Sequence, residues 1–591
     1  MARTLSLRMR IGLAIMLAML VVLGGRLFHI QGLDPAGHAQ QAVSNRLHAV
    51  ELPAARGDIL DSQGRLMAGS ADRYDIVADP RLTGEYTVAD ADLGLQRPVT
   101  LEQTAGELAE LLEADSADIL DRLDDEDTHY SVIARNVTPE VHQRIMELGI
   151  PGVYAEPVSE RTYPAGPVAG SIVGFVGSDG PLEGMESVAN DALTGESGER
   201  IYEVGADGVR IPTATYEEIP AVDGQDVRLT VDQDLQWFAQ EAIAEKANEY
   251  NAQWGNATVV DLREGSEGEI LAMADSETVD PTDPGDTDEL FRRPLALTQD
   301  FEPGSGGKSV TFAAALEEGV VGPESEFTVP YRMTVDGESI RNARTHSDYQ
   351  MTAAGIYARS YNTGTVMIGN QLDEQTRYDY LRKVGYGEPI DIGLGIEGQS
   401  ILRPLQEWDR RQPLTTQFGQ GYTGSVLHNV QLYQMIANDG IKHPLRIVDA
   451  YVDPDGEEHP VSAEPEQIFS AETSEEMLKL MEGVVDYGSA MDAEIDGYRV
   501  GGKTGTAEAA GAAGGFDGYT VNFVGLAPLD DPQFLVSITV HRPEGRFGDW
   551  DLTDAFTEIM SHTLAGYDVP PSEAESESYD GFVGERQDYP W

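Results

Sequence analysis

A serine and a lysine stand three residues apart in "FEPGSGGKSVTF", at Ser305 and Lys308. Residues i and i+3 share a face of a helical turn, so the two side chains can meet. A lysine buried without its proton can take the proton of a serine hydroxyl, and backbone N–H groups at the start of a helix can hold the oxyanion of the attacked carbonyl. The same stretch also contains Gly307-Lys308-Ser309, the end of a phosphate-binding loop. That loop needs a glycine five residues before Gly307. Glu302 stands there and would repel phosphates, and Pro303 has no N–H to donate. The acyl-transfer reading is therefore preferred.

Two further groups complete a constellation. Ser360-Tyr361-Asn362 lies in "YARSYNTGTVMIGNQL", at a helix start or between two helices, and Lys503-Thr504-Gly505-Thr506 lies in "YRVGGKTGTAEAA", on an extended segment. Ser305 would attack an acyl carbon, with Lys308 as base if burial or a neighbouring cation lowers its pKa. Ser360 could relay the proton to the leaving amine. Asn362 carries donors and an acceptor that could orient Lys308 and a substrate amide. Lys503 and the hydroxyls of Thr504 and Thr506 suit a substrate carboxylate, while Gly505 lets substrate approach the strand. The N–H groups of Ser305 and Thr506 form the expected oxyanion hole. His346, His428 and His443 have no metal-ligand spacing and are expected to be structural or solvent-facing; no metal or cofactor is expected.

The elements needed to hold these groups are legible around them. "SGGKSVTFAAALEEG" predicts a helix from Ser305, closed by Gly319. Gly306 and Gly307 weaken that helix start and are expected to loosen the nucleophile. "NATVVDLREGSEGEILAMAD" (256–275) predicts a hairpin, and "VNFVGLAPLDDPQFLVSITVH" (521–541) predicts late strands. Early and late strands around a helical middle give an α+β domain over 226–565. Residues 50–225 read as a mixed, elongated region, with a hairpin at "RGDILDSQGRLMA" (56–68) and one amphipathic helical stretch at 101–123. "VRLTVDQDLQWFAQEAIAEKANEY" predicts a strand followed by a helix opened by Asp232. The Ser/Glu/Pro-rich residues 566–591 predict a disordered acidic tail.

Composition bounds the setting. Lys and Arg number 40 against 102 Asp and Glu, a formal net charge of −62, which argues against a nucleic-acid partner. The acids are dispersed, as in a solvated coat suited to concentrated salt. The chain has no cysteine, which excludes disulfides and thiolate chemistry. Arg3, Arg8 and Arg10 precede an apolar run over 11–30. As a helix that run would be about 30 Å long, enough to cross a bilayer. The arginine bias keeps residues 1–10 cytoplasmic and places the rest of the chain outside the cell membrane.

The ordered triple S-x-x-K, S-x-N and K-T-G, with the anchor, resembles the class B penicillin-binding proteins. "RGDILDSQGRLMA", "RTYPAGPVAGSIVGFVG" followed by "GMESVANDALTG", and "TTQFGQGYTGSVLHNVQLYQMIANDG" (415–440) extend the resemblance over residues 10–560. It implies an antiparallel sheet flanked by helices behind a pedestal or dimerisation-like domain. It also implies D,D-transpeptidase activity on peptidoglycan stem peptides ending in D-Ala-D-Ala, covalent binding of β-lactams, and dependence on a separate membrane-embedded glycan polymerase. For Arg56, Gly57, Asp61, Gly184 and Glu186 it implies interdomain architecture. The alternative is a catalytically weak, membrane-tethered scaffold or β-lactam-binding protein of the same fold.

Overall fold

The computed structural model describes residues 2–29, 47–90, 95–125, 127–177, 179–203, 216–511 and 514–584. They fall into two compact units, Met1–Ala55 with Thr194–Gly224, and Arg56–Leu193 with Gln225–Trp591.

The first unit contains helix α1 (Ala2–Phe28). Its segment Met9–Phe28 has a mean hydropathy of 2.3, no part of it is buried by protein, and it is long and apolar enough to cross a membrane. Ile30, the expected end of the span, lies outside the described residues. The unit also holds a three-stranded antiparallel sheet in which Gly198–Glu203 lies between Leu47–Leu52 and Tyr216–Ile219.

In the second unit the hairpin expected at 56–68 forms between Ile59–Leu60 and Leu66–Ala78. Asp61 shapes its turn: Oδ1 accepts the N–H groups of Gln63 (2.9 Å) and Arg65 (2.8 Å). Residues 101–123 form two helices, Leu101–Leu112 and Ser116–Leu123, rather than one. Glu113 turns left-handed and Asp115 caps the second helix through the N–H of Ala117, so an aspartate that prefers a cap divides the apolar stripe.

Residues 56–193 also hold a buried ion cluster. Glu186, fully buried, accepts Arg56 Nε at 2.8 Å and Arg161 Nε at 2.6 Å on its two oxygens. Arg161 reaches on to the Gly57 carbonyl (2.8 Å). Gly57 has no room for a side chain, since a Cβ would lie 1.9 Å from the Gln225 carbonyl oxygen. Gly184 adopts φ +61° with its Cβ position 2.5 Å from the Gly174 nitrogen. These residues are architecture.

The larger part of this unit, from Gln225 onward, is built on a five-stranded antiparallel sheet. Its strands are β1 (Trp254–Asp261), β2 (Ile270–Asp275), β3 (Gly501–Ala510), β4 (Phe516–Ala527) and β5 (Phe534–His541), in the order β2-β1-β5-β4-β3. Helices flank it: α2 (Gln233–Glu249), α3 (Lys308–Glu317), α4 (Ala353–Ala358), α5 (Asn362–Gly369), α6 (Val426–Ala437), α7 (Ala471–Asp486) and α8 (Thr553–Gly566). Asp232 caps α2 as expected, accepting the N–H groups of Asp234 and Leu235. Helices α2 and α8 pack together against the sheet, and α6 and α7 make a second layer, so every residue of β1 and β2 is buried. Burial on both faces explains why these strands read as apolar runs rather than alternations. β3 differs: it is an edge strand, and on its alternating open face Thr504 and Thr506 are half-buried and Glu508 is exposed.

The expected disordered tail is corrected over residues 570–584, which lie along the body of the second unit. Ser572, Glu577 and Val583 each donate a backbone N–H to the body, and Met351 and Phe582 form an antiparallel bridge. Residues 585–591 of that expectation lie outside the described residues.

Candidate active site

Ser305 lies on a 3-10 turn, Gly304–Gly307, and the α-helix proper starts at Lys308. The expected helix thus begins one turn late. In a 3-10 turn residues i and i+3 eclipse, which aligns Ser305 with Lys308 more directly than an α-turn would. Gly304 has φ +56°, and a Cβ on it would sit 2.4 Å from the Thr506 carbonyl oxygen, so the Ser305 turn lies directly against β3. Gly304 N–H bonds the Gly419 carbonyl at 2.9 Å. Gly419, in the F-G-Q-G segment, has φ +81° and no room for a side chain beside Gly304.

The glycine pair has a packing reason. A Cβ on Gly307 would lie 2.3 Å from the Tyr422 hydroxyl and 2.8 Å from Gly419 Cα, and one on Gly306 would lie 3.3 Å from Asn522 Oδ1. The expectation that these glycines loosen the nucleophile gives way to a turn clamped from three sides.

Lys308 and Lys503 are both fully buried. Each donates to the Ser360 hydroxyl, Lys308 at 3.1 Å and Lys503 at 3.0 Å. Lys308 also donates to the Ser360 carbonyl, and Lys503 to that of Thr504 at 3.0 Å. Burial, and then the charge of Lys503, hold Lys308 well below the usual lysine range. Burial draws Lys503 down to about 7. No carboxylate contributes to either shift. Two ammonium groups sharing one hydroxyl repel each other, so the site favours losing a proton.

Ser360 sits between α4 and α5 with φ +59°, in the left-handed region. Its N–H bonds the Tyr357 carbonyl and the next N–H bonds that of Ile356, which is the Schellman ending of a helix. Glycine normally occupies that position; a serine there costs on the order of 1–3 kcal/mol and brings a hydroxyl to the two lysines. Asn362 opens α5, and its Nδ2 donates to the Arg341 carbonyl at 3.2 Å. The structure therefore directs this amide to Arg341, where the sequence suggested Lys308.

Lys503, Thr504, Gly505 and Thr506 are consecutive on β3, paired with Val524, Phe523, Asn522 and Val521 of β4. Thr504 Oγ1 shares a hydrogen bond with Ser489 (2.8 Å), and Gly505 leaves space for Asn522, whose side chain would be 2.2 Å from a Cβ. The structure thus brings Ser305, Lys308, Ser360, Lys503, Thr504 and Thr506 to one edge of the sheet.

Sequence reasoning missed the floor of the site. Ser309 Oγ is hydrogen-bonded to the hydroxyls of Tyr357 (2.8 Å) and Tyr433 (2.9 Å), and Tyr433 donates to the Gly306 carbonyl at 2.9 Å. The Tyr357 ring also lies 5.7 Å from Lys503 Nζ. Only the tyrosines on apolar helical faces could have signalled this network. The histidines serve structure. His428 Nδ1 accepts the Ser425 N–H at 3.1 Å and Nε2 meets the Glu388 carbonyl at 2.9 Å, while burial lowers its pKa to about 4. His346 stacks on Tyr349 at 4.4 Å. Among the described residues no group of three or more His, Asp or Glu could hold a metal ion.

Comparison with known proteins gives the family. Residues 256–561 match the penicillin-binding protein transpeptidase domain, and residues 51–229 match the penicillin-binding protein dimerisation domain. The penicillin-binding protein PbpB of Mycolicibacterium smegmatis is 32% identical over 96% of this chain and 91% of its own length. The peptidoglycan D,D-transpeptidase FtsI of Escherichia coli is 28% identical over 98% and 95%. Among solved structures, a peptidoglycan synthetase from Bifidobacterium adolescentis is similar with a TM-score of 0.73 and 32% identity, covering 91% of this chain and all of its own. Penicillin-binding protein 3 of Mycobacterium tuberculosis, complexed with aztreonam, shares the fold at a TM-score of 0.67 and 24% identity, over 90% of this chain and all of its own. A dimerisation domain followed by a transpeptidase domain, matched along nearly the whole chain, places this protein among the class B penicillin-binding proteins.

Proposed function

We propose that this chain is a membrane-anchored peptidoglycan D,D-transpeptidase working through a serine acyl-enzyme. The observation that carries the reading is the Ser360 hydroxyl shared by two buried lysines, one of them three residues from Ser305 across a 3-10 turn. Neutral Lys308 takes the Ser305 proton as Oγ attacks the carbonyl of the penultimate D-Ala of a stem peptide. The N–H groups of Ser305 and Thr506 face the developing oxyanion, an assignment supported by the contact between Gly304 and Thr506. Each such donor is worth about 3–4 kcal/mol in the transition state. The proton then passes from Lys308 through Ser360 to the departing D-Ala amine. The acceptor amine of a second stem peptide attacks the resulting ester, and the same groups run the proton transfers in reverse. Lys503, Thr504 and Thr506 hold the terminal carboxylate of the donor peptide, with Gly505 permitting its approach along the edge of β3. Asn362 serves the substrate amide rather than Lys308. β-Lactams are held in the same place and acylate Ser305.

The α1 helix is read as the anchor, with its arginine-rich start in the cytoplasm and the catalytic part outside. Glycan strands must come from a separate polymerase in the membrane. The test is intact-mass measurement after incubation with a penicillin, followed by peptide mapping. One adduct on the peptide containing "FEPGSGGK", lost in Ser305→Ala, is expected. An adduct elsewhere refutes the site.

A further inference from the structure

The C-terminal segment 570–584 runs along the catalytic part and ends on α4, the helix that precedes Ser360. Its first portion is fastened to the sheet end of the domain. Ser572 donates its N–H to the Gly497 carbonyl (2.9 Å), and its hydroxyl accepts from Arg499 N–H (2.9 Å) and donates to Asp530 (2.6 Å). Its last portion is fastened to α4. Thr352, the N-cap of α4, donates its hydroxyl to the Asp580 carbonyl at 2.7 Å. Gly355 in α4 meets Gly581 backbone to backbone: a Cβ on Gly355 would lie 1.8 Å from the Gly581 carbonyl oxygen. The Phe582 ring lies 5.9 Å from the guanidinium of Arg359, the residue immediately before Ser360.

A second line of contacts joins the same segment to β3. Tyr487 donates its hydroxyl to the Tyr579 carbonyl at 2.6 Å, and the Tyr487 ring is tilted against Phe582 at 6.3 Å. Two residues on, Ser489 donates its N–H to the Ala358 carbonyl (3.0 Å) and shares a hydrogen bond with Thr504 (2.8 Å). The segment therefore contacts α4 and Arg359, which lead into the strained turn at Ser360, and Tyr487, two residues before the Ser489 that bonds Thr504. A serine held at positive φ persists only where its surroundings over-determine it. The C-terminal segment supplies part of that surrounding, although its composition is that of a disordered tail.

We infer that residues 579–582 are positioning residues for acylation, a C-terminal strap that holds the α4 end and so fixes the Ser360 hydroxyl between Lys308 and Lys503. They act through α4 and touch no substrate. The inference rests on the acyl-enzyme reading above, and its test compares variants with the wild type, so a wild-type protein that never labels at Ser305 fails that reading and not this one.

The experiment uses the full chain in detergent and a chromogenic penicillin, separating the binding constant from the limiting acylation rate constant k2. Four variants are compared: Phe582→Ala, Gly581→Val (whose Cβ would meet the Tyr487 ring at 2.6 Å), the conservative Phe582→Tyr, and Ser572→Ala. A displaced Ser360 should cost roughly 10-fold to 10²-fold in k2, the scale of a catalytic group misplaced by about 1 Å. Phe582→Ala and Gly581→Val should lose this much with the penicillin binding constant within about twofold, and Phe582→Tyr should restore the rate. The pH of half-maximal k2 should move down in the first two, because Lys308 loses hydrogen-bond acceptors that favour its charged form. Ser572→Ala should lower Tm and leave k2 unchanged. A folded Phe582→Ala or Gly581→Val protein with wild-type k2 and pH profile, or an equal loss of k2 in Ser572→Ala, overturns the inference.

Discussion

Two buried clusters of charge in the same compact unit are built on opposite rules. At Glu186 a fully buried carboxylate receives one guanidinium on each oxygen, from Arg56 and Arg161. At Ser360 two fully buried lysines converge on one hydroxyl with no carboxylate between them. The first cluster sets its carboxylate between two arginines, which cannot release a proton, and removing the carboxylate leaves both stranded. The second leaves positive charge unbalanced, and the cheapest relief is to release a proton. A buried cation that cannot shed its proton and is paired with a carboxylate is scaffold; one that can shed it and has no carboxylate is chemistry.

The comparison breaks most visibly at Lys308. Arginine cannot give up its proton near neutral pH, so Lys308→Arg should lower the acylation rate by about 10²–10⁴-fold while the protein stays folded. A folded variant acylating near the wild-type rate in a stopped-flow assay would remove Lys308 from the role of base. Glu186→Ala should behave the other way round. It should cost about 3–5 kcal/mol of stability in urea unfolding, as breaking a buried pair does, with little change in the acylation rate of the folded protein. A variant as stable as the wild type would show that the cluster is not structural.

Between these lies the packing of the nucleophile turn. Gly307→Ala places a methyl group against Tyr422 and Gly419, and overpacking of this kind costs about 1–3 kcal/mol. The acylation rate should fall together with Tm; if both are unchanged, the clamp on the 3-10 turn is looser than its geometry indicates.

The three proposed catalytic motifs were legible because each is local: spacing alone puts Ser305 and Lys308 on one turn and threads Lys503–Thr506 along a strand. The anchor, the 56–68 hairpin, the β1–β2 hairpin and the Asp232 cap were legible for the same reason, since turn and capping residues act on their neighbours. What escaped was set by distant contacts. Nothing near Gly307 in the sequence announces Tyr422 or Gly419, so its glycines looked like weakness. The Ser309–Tyr357–Tyr433 network joins three separate helices. Asn362 could be assigned an amide's chemistry but not its partner, because Arg341 belongs to a hairpin 21 residues earlier. Residues 570–584 read as disordered because Ser and Glu dominate their composition; Tyr579 and Phe582, the aromatic residues within that stretch, were the available sign of docking.

The smallest expected effect concerns the acidic coat. With a formal charge of −62, surface carboxylates repel across a Debye length of about 30 Å at 0.01 M salt but only about 3 Å at 1 M. Tm and the acylation rate with an anionic penicillin should both rise modestly from 0.05 M to 2 M potassium chloride, and sucrose at equal osmolarity should not reproduce the rate gain. Flat or falling curves would mean that the coat does not tune the protein to salt.

The central claim is that Lys308 is the neutral partner of the pair and Lys503 the charged one, and the pH dependence of the limiting acylation rate tests it most directly. Burial lowers both lysines, Lys503 to about 7 and Lys308 well below the usual lysine value. The account predicts a bell: the rate rises as Lys308 gives up its proton, peaks near neutral pH, and falls on the alkaline side as Lys503 loses the charge that holds the carboxylate. Lys503→Met should abolish the alkaline limb and weaken binding. A rate that keeps climbing through pH 10, as an ordinary exposed lysine titrates, would contradict the account.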